Sequence, residues 1–199
     1  PFQLIMAPLI GAMAAGNCCV LKPSELAENT AAVVNKIVSE NFEPEYIKVI
    51  EGGIETSQEL LEQKFDYIFF TGSTDVGRIV YQAAAKHLTP VTLELGGKSP
   101  CIIDKDIHLE YAAKRIAWGK FINAGQTCTA PDYLLIHKNI KERFLTEFKT
   151  QVESFYGKQP AECSYYPKII NRNHFNRLID YLQNGNVIFG GENDADKLF

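Results

Sequence analysis

Residues 123–128 (NAGQTC) place a thiol among small and polar residues, just after a predicted helix. Cysteine reacts as the thiolate, and a loop position gives its sulfur access to a substrate. By contrast, Cys18, Cys19 and Cys101 lie in apolar, strand-like runs, and we predict that they are packing residues. Cys128 is therefore a candidate nucleophile. A purely structural role for a single loop cysteine stays open on this evidence.

A second candidate is Glu94, which lies at the end of an apolar, strand-like run and precedes Gly96-Gly97-Lys98. Burial without a partner would raise the pKa of this carboxyl and make it a general base near neutral pH. The alternatives are a Glu94 paired with Lys98 or exposed at the strand end. Spacing alone does not decide among them.

Residues 22–25 (KPSE) follow directly on a predicted buried strand. In an open α/β sheet the carboxyl ends of the strands are where ligands gather, and a cation beside an anion can address a ribose. The same tetrapeptide also fits a helix start, with Ser24 as the cap and Glu25 in the first turn.

Residues 69–78 (FFTGSTDVGR) run from a predicted strand through a glycine-bounded turn into a predicted helix. Free backbone N–H groups and the helix dipole favour an anion such as phosphate at a helix start. The G-x-x-x-x-G spacing differs from the dinucleotide fingerprint, and the Lys-Ser/Thr pair of a Walker loop is absent. Alternatively, Ser73 or Thr74 simply caps the helix.

Two kinds of apolar segment alternate along the chain and would position these residues. Helical spacing predicts helices over 4–15, 30–41, 56–64, 76–87, 108–122, 141–155 and 174–183. Short runs rich in Val, Ile and Phe predict strands over 18–21, 47–50, 67–70, 91–95, 100–103, 133–137 and 187–189. The first four strands are predicted to form a doubly wound parallel sheet with both faces covered by helices. We expect a domain boundary near Gly96, which separates residues 1–95 from 96–199.

The composition excludes several classes of function. The chain has 199 residues and a net charge of −4, from 20 Lys and Arg against 24 Asp and Glu, which disfavours binding to nucleic acid or an anionic membrane. Its five cysteines form no C-x-x-C pair, and its four histidines form no H-E-x-x-H motif. We therefore expect no metal site, reduced thiols and a cytoplasmic location.

The first 21 residues carry no charged side chain and could be mistaken for a membrane span. Gln3, Pro8 and Asn17 interrupt the apolar run, and no basic segment precedes it, so we expect no membrane segment here. A start at Pro1 and an end at Phe199, just after a strand-like run, predict a central fragment of a longer chain.

Four ordered segments together resemble the aldehyde dehydrogenase superfamily: 21–25 (LKPSE), 70–77 (FTGSTDVG), 94–100 (ELGGKSP) and 123–128 (NAGQTC). Residues 89–94 (TPVTLE) and 130–133 (APDY) are most similar to its class 3 branch, which includes the fatty aldehyde dehydrogenases. The likeness extends over essentially the whole chain.

The resemblance implies NAD(P)-dependent oxidation of an aldehyde to a carboxylic acid through a cysteine thiohemiacetal and thioester. Cys128 matches the nucleophile, and Glu94 matches the base that activates water. The positions that match the NAD or NADP site are Lys22 and Glu25 at the adenosine ribose, and Gly72, Ser73, Thr74, Val76 and Gly77 around the pyrophosphate and adenine. The implied fold is the C-terminal part of a Rossmann-like NAD(P)-binding domain (1–95) followed by the N-terminal part of an α/β catalytic domain (96–199).

The same resemblance implies a homodimer, use of both NAD and NADP, and further site residues outside positions 1–199. Two alternatives remain. An acylating dehydrogenase or acyl reductase would transfer the acyl group to a thiol acceptor rather than to water, and Glu94 argues against it. The second alternative is a truncated chain that keeps the fold without catalysis.

Overall fold

Helices and strands alternate along both halves of the chain in a computed structural model that describes residues 1–199. The chain divides into two units, Pro1–Leu95 and Gly96–Phe199. The elements of the first unit are α1 (Phe2–Ala14), β1 (Cys19–Leu21), α2 (Glu28–Asn41), β2 (Ile47–Val49), α3 (Ile54–Leu61), β3 (Ile68–Gly72), α4 (Thr74–Ala85) and β4 (Val91–Leu95). Whether these units are parts of a cofactor domain and a catalytic domain stays a prediction.

Strands of the first unit pair in parallel, β1 with β2 and β3 with β4. The intervening helices α2 and α4 provide the crossovers that parallel pairing requires. The predicted α/β class with parallel strands is therefore confirmed. The expected single sheet of four strands is not, because hydrogen bonds join the strands only within each pair. In doubly wound folds the spatial order of strands departs from chain order, so chain order alone does not specify which pairs are neighbours.

Apolar side chains from α1, β1, α2 and β2 form the core of the first unit. Its buried members are Leu9, Leu21, Val34, Val38, Ile47 and Val49. Strand β3 instead alternates half-buried and exposed residues, and Phe69 is 46% exposed. The expectation that helices cover both faces of every strand is thus wrong for β3.

The second unit contains β5 (Ser99–Ile103), α5 (Leu109–Phe121), β6 (Pro131–Ile136), α6 (Lys141–Tyr156) and α7 (Arg172–Tyr181). Strands β5 and β6 are parallel, with a register shift between Ser99 and Pro100. Ala113 and Ala117 on α5 are fully buried, and their small side chains let α6 pack closely against that helix. Phe144 of α6 is also fully buried, and its ring stacks on Phe148 at 5.6 Å.

Two sequence predictions fail locally. Residues 187–189 form no strand, because Phe189 packs its ring 6.1 Å from that of Phe148 and no neighbouring strand bonds to this segment. Cys18 precedes β1 and is exposed, so it is not the packing residue that its apolar neighbours suggested. None of the helices combines the length and the apolar character needed to cross a membrane.

Candidate active site

A left-handed turn precedes Cys128. Helix α5 ends at Phe121, and in the 3₁₀ segment Ile122–Gly125 that follows it, Asn123 (φ 56°, ψ 33°) and Ala124 (φ 51°, ψ 34°) both have positive φ. Gly125 continues the turn with φ 75°. Glycine adopts this conformation freely and asparagine tolerates it, whereas alanine is strained there. The nucleophile candidate therefore follows a backbone segment that the surrounding structure must hold in place.

Hydrogen bonds join Asn123 and Gln126 across this turn. The Asn123 side-chain amide donates to the Gln126 carbonyl at 3.0 Å, and the Gln126 backbone N–H donates to the Asn123 carbonyl at 3.0 Å. The Ser99 hydroxyl at the start of β5 donates to the Cys128 carbonyl at 3.4 Å. Cys128 is thus attached through its main chain to a strand of the same unit.

Exposure separates Cys128 from two of the other thiols. Cys128 is exposed, whereas Cys19 and Cys101 are half-buried and pack against the cores of their units. Burial raises the pKa of the Cys19 and Cys101 thiols, which disfavours their thiolates. Since Cys18 is also exposed, it is the thiol of comparable exposure against which Cys128 can be measured.

Glu94 lies on β4 opposite Thr71 of β3, and its side chain is exposed. Of the alternatives left open by the sequence, the structure therefore shows an exposed residue near the strand end. Lys98, which the sequence offered as its partner, has its ammonium 3.3 Å from the Asp132 carboxylate and 5.9 Å from the ring centre of Tyr181.

At the carboxyl end of β1, the Lys22 ammonium lies 2.8 Å from the Glu25 carboxylate. The Lys22 side chain is only 17% exposed, while that of Glu25 is 45% exposed. Their hydrogen bond holds the pKa of Glu25 below its usual value. Ser24 accepts from the Leu26 backbone N–H at 3.3 Å, so the capping interpretation of this tetrapeptide is confirmed, and its role at a ribose stays a prediction.

The turn between β3 and α4 starts a helix with an acidic first turn. Ser73 caps α4 by accepting from the Val76 N–H at 3.3 Å, and Asp75 lies in the first turn. Gly77 is buried against β4, where an added Cβ would lie 2.8 Å from a Leu95 methyl carbon. Gly77 therefore permits close packing of the helix on the strand, a structural role that is independent of any ligand.

The sequence-predicted residues are distributed over both units. The cofactor candidates and Glu94 belong to the first unit, and Cys128 belongs to the second. Sequence reasoning missed Gln126 and Ser99, which contact the main chain of the Cys128 loop. Both stand inside the motifs given above, but Ser99 bonds to Cys128 and Gln126 also bonds to Lys168 and Ile170. These partners lie 29 to 44 residues away in the chain, so spacing alone gave no signal for them.

Residues 1–197 match the family model described as the aldehyde dehydrogenase family. The chain is 49% identical over its whole length to 4,4'-diaponeurosporen-aldehyde dehydrogenase of Staphylococcus aureus, covering 44% of that protein. It is 52% identical over 98% of its length to aldehyde dehydrogenase family 3 member A2 of Macaca fascicularis, covering 40% of that protein. The chain thus spans less than half the length of these relatives.

Solved structures give the same family. Substrate-bound AldH of Staphylococcus aureus superposes with a TM-score of 0.92 at 49% identity, over 100% of this chain and 44% of the other. A lactaldehyde dehydrogenase superposes with a TM-score of 0.83 at 32% identity, over 96% of this chain and 42% of the other. With four motifs in order, parallel strand pairs and these matches, the chain belongs to the aldehyde dehydrogenase family, in a class 3-like branch.

Proposed function

We propose that the protein oxidises an aldehyde to a carboxylic acid with NAD or NADP, with Cys128 as the nucleophile and Glu94 as the general base. The observation that carries the proposal is an exposed thiol three residues after a strained left-handed turn, inside a family whose members are dehydrogenases of aldehydes. A thiol suits this reaction because sulfur attacks a carbonyl carbon readily and later departs from the thioester.

The Cys128 thiolate adds to the aldehyde carbon and forms a thiohemiacetal. The Cys128 backbone N–H is the donor that we propose for the oxyanion of this adduct. When bound, NAD(P) would supply the hydride acceptor for oxidation of this adduct to a thioester of Cys128. Glu94 then takes a proton from the water that hydrolyses the thioester, and Cys128 leaves as thiolate.

The donor groups of the first unit fit an NAD(P) adenosine and pyrophosphate. Lys22 and Glu25 follow β1, and Gly72 is the last residue of β3, shortly before α4 begins. Both segments therefore lie at the carboxyl ends of parallel strands. The Lys22–Glu25 pair offers a cation and an anion to ribose hydroxyls, and the first-turn N–H groups of α4 favour a phosphate. Ser73, Thr74, Val76 and Gly77 complete the proposed set.

Turnover by the protein at its natural full length tests the nucleophile. With a medium-chain aldehyde, Cys128→Ser is expected to reduce NADH or NADPH formation at least about a thousandfold, because a hydroxyl is a far weaker nucleophile than a thiolate. Cys18→Ser, which changes another exposed thiol, is the matched control and should retain full activity. Normal turnover by Cys128→Ser would contradict the proposal.

Glu94→Gln separates hydrolysis from transfer to a thiol acceptor. We expect this variant to form acyl-Cys128, seen by mass spectrometry, yet to lose steady turnover, because water is no longer activated. An acylating enzyme would keep its turnover in this variant when given a thiol acceptor such as coenzyme A. The homodimer expected from the resemblance and the cytoplasmic location expected from the cysteine pattern stay predictions.

A further inference from the structure

One side-chain amide joins the turn before Cys128 to a distant segment of the same unit. Nε2 of Gln126 donates to the Asn123 carbonyl at 3.1 Å and to the Lys168 carbonyl at 3.1 Å. Oε1 of the same side chain accepts from the Ile170 backbone N–H at 2.9 Å. All three bonds reach main-chain atoms, and two of them span more than 40 residues of chain.

These contacts specify an amide at this position. The side chain donates to two carbonyl oxygens and accepts from one N–H. Among side chains of this length, only glutamine presents two donors and an acceptor on a single planar group. A carboxylate would keep the bond from Ile170 but would turn an oxygen towards both carbonyls. A methionine would fill the same space and make none of the three bonds.

The bonded turn is the part of the loop that most needs support. Asn123 and Ala124 have positive φ, and such residues persist only where surrounding contacts hold them. Nε2 of Gln126 bonds to the carbonyls of Asn123 and Lys168, and Oε1 bonds to Ile170, so one amide joins the turn to the 168–170 segment. Cys128 follows two residues later in the chain, so any relaxation of the turn would move its sulfur.

We propose that Gln126 is a positioning residue that fixes the Cys128 thiol by holding this turn against residues 168–170. The inference rests on the proposed function, because it assumes that Cys128 is the nucleophile. Gln126 itself touches no reacting atom. Its loss is expected to slow the chemical step while leaving aldehyde binding little changed, since a displacement of about 1 Å at a reacting group can reduce rates about a hundredfold.

The test compares Gln126→Met with Gln151→Met in the protein at its natural full length. Gln151 lies on α6 in the same unit and bonds to Glu147 at 2.7 Å, so it controls for the loss of an amide elsewhere. For Gln126→Met we expect kcat to fall about ten- to a hundredfold with KM changed less than about threefold. In the same variant, alkylation of Cys128 by iodoacetamide should be slower than in wild type, as mapped by mass spectrometry over a pH series. Alkylation of Cys18 should not change, and Gln151→Met should behave as wild type.

Gln126→Glu keeps the proposal testable even if the methionine variant does not fold. Its carboxylate retains the bond from Ile170 but cannot donate to either carbonyl until it is protonated. We therefore expect its kcat, relative to wild type, to recover as the pH falls, which a purely structural role would not produce. Wild-type kcat and wild-type Cys128 alkylation in whichever variant folds would overturn the inference. Full turnover by Cys128→Ser would instead contradict the proposed function, so the two failures are distinguishable.

Discussion

Replacing Ala124 by glycine should stabilise the second unit. Ala124 has φ 51° and ψ 34°, a left-handed conformation in which an L-residue brings its Cβ too close to the following carbonyl oxygen. Glycine has no Cβ and adopts this conformation without strain. Ala124→Gly therefore removes strain from the turn that precedes the proposed nucleophile.

The magnitude follows from two opposing terms. Left-handed backbone costs an L-residue about 1–2 kcal/mol, which the substitution recovers. Glycine also gives the unfolded chain more freedom, which costs about 0.4–1 kcal/mol. The middle values of the two ranges give an expected net gain of about 0.8 kcal/mol in the free energy of unfolding.

Ala112→Gly is the matched control. Ala112 lies inside α5, where its N–H donates to the His108 carbonyl at 3.0 Å. Here glycine relieves no strain and is expected to lower the free energy of unfolding by about 1 kcal/mol. Urea unfolding followed by the fluorescence of Trp118 measures both, because the only tryptophan of the chain lies on α5 of the same unit.

The two identical substitutions should therefore change the urea midpoint in opposite directions. A loss of stability in Ala124→Gly as large as that in Ala112→Gly would show that residue 124 is not held in the left-handed conformation. That result would remove the strain argument and, with it, the need for Gln126 to brace the turn.

Two further predictions concern charge. Burial raises the pKa of Tyr166 from 10.0 to about 12, so the folded protein holds the phenol proton more tightly than the unfolded chain does. The stability that this proton contributes is present below pH 10 and is lost as the pH rises to 12. The rise in pKa corresponds to at most about 2.7 kcal/mol of stability, which partial exposure of the ring reduces to about 1–2 kcal/mol. In urea unfolding at pH 9 to 12, Tyr166→Phe should not show this loss of stability. A pH dependence equal to that of wild type would refute the prediction. Glu25→Gln frees the Lys22 ammonium and removes a negative charge that opposes a 2′-phosphate, so the ratio of kcat/KM with NADP to that with NAD should rise about fivefold. Glu40→Gln, which breaks the exposed Lys36–Glu40 pair of α2, should leave the ratio unchanged, and an equal ratio in both variants would contradict the assignment of Glu25 to the cofactor site.

Local signals predicted most elements of the fold. Helical spacing and short apolar runs located all seven helices and the first six strands within a few residues. Ser73 and Ser24 were recognised as possible caps because the bonds of a cap lie within three residues of it. The strand expected at 187–189 failed because an apolar run has the same appearance whether it pairs in a sheet or packs as Phe189 does on Phe148.

Residue types and their order determined the candidate chemistry of this protein. A loop thiol, a carboxylate before two glycines and a glycine-bounded helix start are properties of short segments. The resemblance of these segments, in order, to the aldehyde dehydrogenase superfamily indicated the family without coordinates. Only the tertiary structure decided that Glu94 is exposed, that Lys98 pairs with Asp132, and that Gln126 bonds to residues 168–170. The physical reason is that exposure and hydrogen bonding between distant segments depend on which surfaces come into contact when the chain folds. A local pattern in the sequence does not specify those contacts.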